Sequence, residues 1–322
     1  MMFFDKEPKG VYFLIDNKSF YTSCEAIQRG FNPLKVPLVV MSEAENTNGG
    51  LILATLPEAK KLYHLKANVS RQRDLPTDPR LLVVPPRMNL YIKKNLEINQ
   101  LFSKFTPEEM IWPYSIDESI LDMTKSWHLF GNSVRSVARL IQKTVRQELG
   151  LYTTVGIGDN TVQAKLALDI YVKHNQDLTQ VWGIGKRTAK HLNRLEIYTM
   201  NDLAHANPYL LKQEMGIIGT QIFATAWGVD CSKLTEKPVV KSKSLGNFQA
   251  LPRDYQSQAE IENVIKEIGE QVASRVRSHH KLTSRISLRI GFSFHDSEIY
   301  GKSGFHQMLS IDETDDNQAI VI

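Results

Sequence analysis

The sequence predicts an α+β protein of several domains: a layered N-terminal region, a helical module, and a small α+β domain at the C-terminal end. Three observations carry that reading. A chain of 322 residues is too long for one small core. Through the first half, short apolar strand-like runs alternate with stretches of helical period. From Trp182 the texture becomes short helices punctuated by Gly, and after a basic stretch it turns strand-like again.

Taken in order, "GVYFLID" is an apolar strand ending on Asp16, and "NKSFYTSCEAIQRG" a helix closed by Gly30. "PLVVM" and "LILAT" read as strands, "PEAKKLYHL" as a helix opened by Pro57, and "RLLVVPP" as a strand stopped by two prolines. A helix over "MNLYIKKNLEINQLFSKF" leads to two antiparallel strands within "EEMIWPYSIDESILDMT". "SVRSVARLIQKTVRQELG" is an amphipathic helix ended by Gly150, and "YTTVGIGD" returns as a strand. The strand ends at Asp16, at Asp117 and near Gly158 are expected to meet in one sheet. After the helical module, "EKPVVKSKS" reads as a linker. A strand-like "LGNFQAL", a helix over "QAEIENVIKEIGEQVASRVRSHH", strands in "SRISLRIGFSF" and "GFHQMLSI", and an acidic tail complete the chain.

Composition excludes several classes. With 42% hydrophobic and 23% charged residues and no apolar run long enough for a bilayer, a membrane-spanning protein is not expected. "MMFFDKEPKG" lacks the pattern of a signal peptide, so a cytoplasmic location follows. The two cysteines, Cys24 and Cys231, have no companions at metal-ligand spacing and read as reduced thiols. A net charge of +4 is too mild to identify a nucleic-acid partner by itself.

The chemistry sits in "SIDE". Adjacent Asp117 and Glu118 between strand-like runs are either a solvent-exposed hairpin bend or half of a divalent-metal site. Asp16 is either a cap on the next helix or a third carboxylate at a sheet edge. Three such groups at one point suit two Mg²⁺ ions and phosphoryl transfer. Lys60, Lys61 and Lys165 are available as point charges for phosphate, or are ordinary solvated lysines. In the helical module, "WGIG" and "GIIG" are tight turns that let backbone N–H groups approach a DNA phosphate, or simple helix–helix turns.

"FLIDNKSFYTSCE", "PYSIDESILDMT", "TVGIGDNTVQAKLALD" and "VWGIGKRTAKHLNRLEI", in that order, resemble successive motifs of Y-family translesion DNA polymerases. The resemblance is to the UmuC-like branch of Gram-positive bacteria and their mobile elements. It implies a right-hand polymerase: palm (1–30 and 83–175), fingers (31–82), thumb with helix-hairpin-helix motifs (176–236), basic linker (237–246) and little finger (247–322). It implies two Mg²⁺ held by Asp16, Asp117, Glu118 and the Asn17 carbonyl. Phe20 and Tyr21 would meet the nucleotide, with Tyr21 as the steric gate under its sugar, and Lys60 and Lys165 would hold the triphosphate. Gly183, Gly185, Lys186, Gly216 and Gly219 would grip duplex DNA, with Lys237, Lys241, Lys243, Arg253, Arg285 and Arg289 against phosphates. The implied partners are primer-template DNA and deoxynucleoside triphosphates; relatives bind a sliding clamp, and "QMLSI" is a poor match to such a peptide.

The chain departs from the pattern in three places. Only "QDLTQV" separates "KHN" from "WGIG", where family members have a longer segment, and the little finger stops early. His64 and Asn68 stand where relatives often carry Gly, and Pro57 near a position often held by a triphosphate-binding Tyr. The expected activity is error-prone, DNA-templated polymerisation by two-metal phosphoryl transfer. The competing expectation is a DNA-binding relic that has lost catalysis; a nucleotide cyclase on a similar palm would leave the thumb hairpins without purpose.

Overall fold

A computed structural model describes residues 9–42, 50–172, 178–230, 232, 234–236, 244–251, 253–293, 297 and 301–321. The chain divides into two compact units, residues 1–43 with 51–237 and residues 44–50 with 238–322.

The centre of the first unit is a four-stranded antiparallel sheet. Its strands are β1 (Tyr12–Asn17), β5 (Ile111–Pro113), β6 (Glu118–Asp122) and β7 (Thr153–Gly158), in the order β5-β6-β1-β7. The period-two alternation of β1 sorts its residues onto two faces. Phe13 and Ile15, both 0% exposed, join a core with α1 (Phe20–Gln28), α3 (Met88–Phe102) and α4 (Val134–Leu149). Leu14 faces the other way and packs with Ile120 against Ala164 and Leu168 of α5 (Thr161–Val172).

β7 allows that second contact because of its glycines. A Cβ on Gly156 would lie 2.1 Å from the Ala164 carbonyl oxygen, and one on Gly158 2.3 Å from the Ala164 nitrogen. "VGIGD" is therefore a strand whose bare face lets α5 lie close to the sheet. Gly158 pairs with Tyr12, so its end lies away from Asp16; it is Thr154 that stands opposite Asp16. The expectation that the Gly158 end meets the carboxylates is corrected by this antiparallel register.

A three-stranded sheet follows, β2 (Leu38–Met41), β3 (Ile52–Thr55) and β4 (Leu82–Val84) in the order β3-β2-β4, with α2 (Pro57–Tyr63) after β3. His64 and Asn68 take φ of 54° and 59°. That is left-handed backbone which glycine adopts without a Cβ penalty.

The helical module holds α6 (Lys186–Arg194), α7 (Met200–His205), α8 (Pro208–Met215) and α9 (Ile217–Ala226), with no strand among its described residues. Leu192, Leu203 and Leu211 are at its core. Its end is tied to the N-terminal side of α5: the Asn160 and Gln163 side-chain amides donate to the Gly228 carbonyl at 2.7 and 2.8 Å.

The second unit contains α10 (Gln258–Ser278), a two-stranded sheet of β8 (Thr283–Gly291) and β9 (Gly304–Thr314), and α11 (Asn317–Val321). "QMLSI" lies inside β9. One expectation is corrected here. "LGNFQAL" is not a strand: Arg275 donates to the Gly246 carbonyl at 2.8 Å and Asn247 bonds Gln271, so α10 side chains take the place of a ladder, and Phe248 is 88% exposed. The tail forms α11, with Ile320 buried. The linker lysines Lys237, Lys241 and Lys243 lie outside the described residues.

Candidate active site

Register brings the carboxylates together. Asp16 of β1 pairs with Glu118 of β6, so the two side chains share the face that carries α5. Asp117 occupies the β5–β6 turn, where its carbonyl accepts from both the backbone and side-chain N–H of Asn17 at 2.9 Å. Ser115 fixes that turn. Its hydroxyl bonds Asp117 Oδ1 at 2.6 Å and accepts from the Glu118 backbone N–H at 3.0 Å. The pair is thus a hairpin bend and also an ordered presentation of two acids beside a third.

The electrostatics follow. Burial, and then the negative charges of Asp117 and Glu118, push the Asp16 carboxyl up to about 6, against a pull from Lys165. Lys165 Nζ lies 2.6 Å from Glu118 Oε1 and 3.8 Å from Asp169. Burial lowers the Lys165 ammonium, but the hydrogen bond and charge of Glu118 raise it further, so its net shift is upward. Within the protein, the Lys165 ammonium, only 13% exposed, is paired with the Glu118 carboxylate.

Asp16 and Asp117, but not Glu118, open into a cleft of about 450 Å³ whose lining includes Asn17, Phe20, Tyr21, Thr55, Lys60 and Ile116. Lys60 is exposed there, whereas Phe20 is 3% exposed and belongs to the core. Tyr21 is half-buried and stacks on Tyr91, ring centroids 4.4 Å apart and planes at 15°. Asn17 Oδ1 is buried without a hydrogen-bond partner at this same point. Among the described residues no three His, Cys, Asp or Glu side chains already form a metal-binding cluster. In charge and ligand type the set still suits a hard divalent cation: three carboxylates side by side, one pushed upward by burial and then by the other two, and an unpaired amide oxygen.

In the helical module, Gly183 and Gly216 have φ of 87° and 61°, and the Cβ positions of Gly183, Gly185 and Gly216 have no described atom within 4 Å. Lys186 is exposed beside them. Gly219 differs: its Cβ would lie 2.1 Å from the Leu211 carbonyl oxygen, so it serves the α8–α9 contact rather than an outer surface. Trp182 donates to the Tyr114 hydroxyl at 2.8 Å, joining the first Gly turn to the carboxylate hairpin. In the second unit, Arg285 and Arg289 are exposed four residues apart, with Ser287 midway between them, on one face of β8, opposite Ser310 and His306.

Sequence reasoning missed Ser115, Thr154, Gly156, Gly158, Glu25 and Tyr91. The Ser of "SIDE" was a usable signal, since Ser two residues before Asp favours this turn. Arg29 is a local partner of Glu25, four residues on, but Arg87 and Tyr91 lie more than 60 residues away and left no local sign.

Three comparisons bear on these features. The impB/mucB/samB family model matches residues 15–169, and that of the impB/mucB/samB family C-terminal domain residues 242–321. UvrX of Bacillus subtilis, whose name ties it to UV-damage repair, is 37% identical over 331 positions, covering 97% of this chain and 77% of UvrX. DNA polymerase IV 2 of the same organism is 33% identical, covering 94% of this chain and 76% of that protein. The Y-family DNA polymerase chimera Dbh-Dpo4(243-245)-Dbh superposes with a TM-score of 0.67 at 20% identity, over 97% of this chain and 90% of the chimera. The chain therefore belongs to the impB/mucB/samB family of Y-family DNA polymerases, and is a DNA-directed DNA polymerase by family and fold. Within that class it falls with the UmuC-like polymerases of Gram-positive bacteria. Membership of that family of DNA polymerases implies DNA and nucleotide substrates, and among the described residues no helix is long and apolar enough to cross a membrane.

Proposed function

We propose that this polymerase extends a primer across damaged template, with the cleft at Asp16, Asp117 and Glu118 as its catalytic centre. The observation that carries the reading is the register pairing of Asp16 with Glu118, beside a cleft that Asp16, Asp117, Tyr21 and Lys60 line. Asp16, Asp117, Glu118 and the Asn17 carbonyl would hold two Mg²⁺. When bound, the metal lowers the pKa of the attacking 3′-hydroxyl and neutralises the leaving pyrophosphate.

The chain's own residues do the rest. Lys60 meets the triphosphate from the exposed side of the cleft. Tyr21 presents a ring to the sugar. Lys165 neutralises Glu118 until charge arrives in the cleft. The open turns at Gly183–Gly185 and Gly216, with Lys186, offer backbone N–H groups and charge to duplex phosphates, and Arg285 and Arg289 add contacts from the second unit.

Primer extension with Mg²⁺ and the intact chain tests this. Wild type should extend, and Asp117→Ala and Glu118→Ala should each fall by at least about 10³-fold while still binding DNA. Equal extension by wild type and these variants overturns the assignment. Salt-dependent DNA binding with no incorporation by wild type would instead establish the relic.

A further inference from the structure

Glu25 is 0% exposed, and its partners form a closed square between two helices. On α1, Tyr21 and Glu25 are four residues apart and share one face; on the N-terminal side of α3, Arg87 and Tyr91 do the same. Arg87 donates to Glu25 through Nε at 3.0 Å and Nη2 at 2.5 Å, and Arg29 pairs with the same carboxylate. The Tyr91 hydroxyl donates to Glu25 Oε1 at 2.9 Å, and the Tyr91 ring is the one stacked on Tyr21. Tyr91 is thus held at its hydroxyl by Glu25 and along its ring face by Tyr21.

A buried ion pair of this kind adds little stability over an apolar replacement of equal volume, because desolvation offsets the Coulomb gain. Its effect is geometric. Burial alone would raise the Glu25 carboxyl, but hydrogen bonds from Arg87, Arg29 and Tyr91 hold it below its ordinary value, so it stays an ionised, multiply bonded anchor. A ring anchored at its hydroxyl has one orientation in its slot, and a partner stacked at 15° inherits that plane. Tyr21 itself lines the cleft, together with Asp16 and Asn17.

We infer that Glu25 and Tyr91 are positioning residues for sugar selection: they fix the plane in which Tyr21 meets the nucleotide sugar, and hence how sharply a ribose 2′-hydroxyl is refused. This rests on the reading of Tyr21 as the residue under the sugar. Neither residue lines the cleft, so both act only through Tyr21.

The test is single-nucleotide insertion on an undamaged primer-template, with kcat/KM measured for a deoxynucleotide and for its ribonucleotide in the same preparation. Their ratio cancels any loss of folded protein. Tyr91→Phe removes the anchoring hydroxyl and keeps the stack. Glu25→Gln keeps an acceptor and removes the charge, and Arg87 and Arg29, 43% and 32% exposed, can be solvated instead. Each should lower the deoxy-to-ribo ratio by roughly tenfold, because sub-ångström placement governs such discrimination. Tyr21→Ala should collapse the ratio. An unchanged ratio in Tyr91→Phe and Glu25→Gln alongside a collapsed one in Tyr21→Ala overturns the inference alone; an unchanged ratio in Tyr21→Ala overturns the sugar-gate reading and the inference with it.

Discussion

The two units each build an antiparallel sheet, and the two sheets have opposite exposure. In β1 and β6, Phe13, Ile15 and Leu121 are 0% exposed and Leu14 and Ile120 are nearly so, because helices cover both faces. In β8 and β9, Phe305, Met308 and Leu309 are between 43% and 59% exposed. Covered on both sides, a sheet fixes register and can hold three acids in place against their repulsion. An open sheet offers side chains to whatever comes near. The first sheet is built to position, the second to contact.

Backbone clearance gives the sharpest way to break that comparison. Gly156→Ala puts a methyl 2.1 Å from the Ala164 carbonyl oxygen, where neither strand nor helix can yield cheaply. It should destabilise the first unit by about 3 kcal/mol or more. Gly291→Ala, in β8, meets no described atom within 4 Å and should change stability by no more than about 0.5 kcal/mol. Denaturant melts of the two variants measure this, and equal losses would mean that α5 does not depend on the bare face of β7.

The same contrast explains what was legible in the sequence. Strand and helix order in the first unit was readable because burial imposes its period on residues such as Phe13 to Ile15 and Val137 to Val145. Asp16, Asp117 and Glu118 were readable because polar residues interrupt those periods. "LGNFQAL" was misread because its alternation joins no sheet among the described residues, and Arg275 of α10 bonds its Gly246 carbonyl instead. Lys165 was found, but its partner was not, since the Glu118 contact arises only when Gly156 and Gly158 let α5 approach. Long-range anchors such as Glu25 leave no period at all.

Within the covered sheet, the strain on Asp16 is measurable. Its folded pKa of about 6 lies above the ordinary aspartate value of 3.8, so the protonated form is favoured in the fold. That contribution to stability is complete below the unfolded pKa and is lost as pH rises through about 6. Metal-free protein should therefore gain about 1–2 kcal/mol at pH 7 from Asp16→Asn, a gain that disappears near pH 4. Thermal melts across that range check it. Added Mg²⁺ should raise the wild-type Tm and leave that of Asp16→Asn nearly unmoved. A variant less stable than wild type at pH 7 would show that Asp16 is not under repulsion.

The smallest effects belong to the open sheet. Arg285 and Arg289 protrude from one face of β8, and their cross-strand neighbours Ser310 and His306 supply no anion to neutralise them. Exposed cations on such a face interact with phosphates by releasing counterions, an effect that adds per charge and weakens with salt. Arg285→Ala and Arg289→Ala should each weaken primer-template binding by a few-fold and reduce the slope of log affinity against log salt by about 1. Stability should stay within about 0.5 kcal/mol of wild type, since neither side chain is buried. At saturating DNA the rate of nucleotide addition should not change, because the acids and Tyr21 lie in the other unit. Fluorescence anisotropy at several salt concentrations reads the slope. A slope unchanged in both variants would remove DNA from that face and leave the open sheet without its assigned contact.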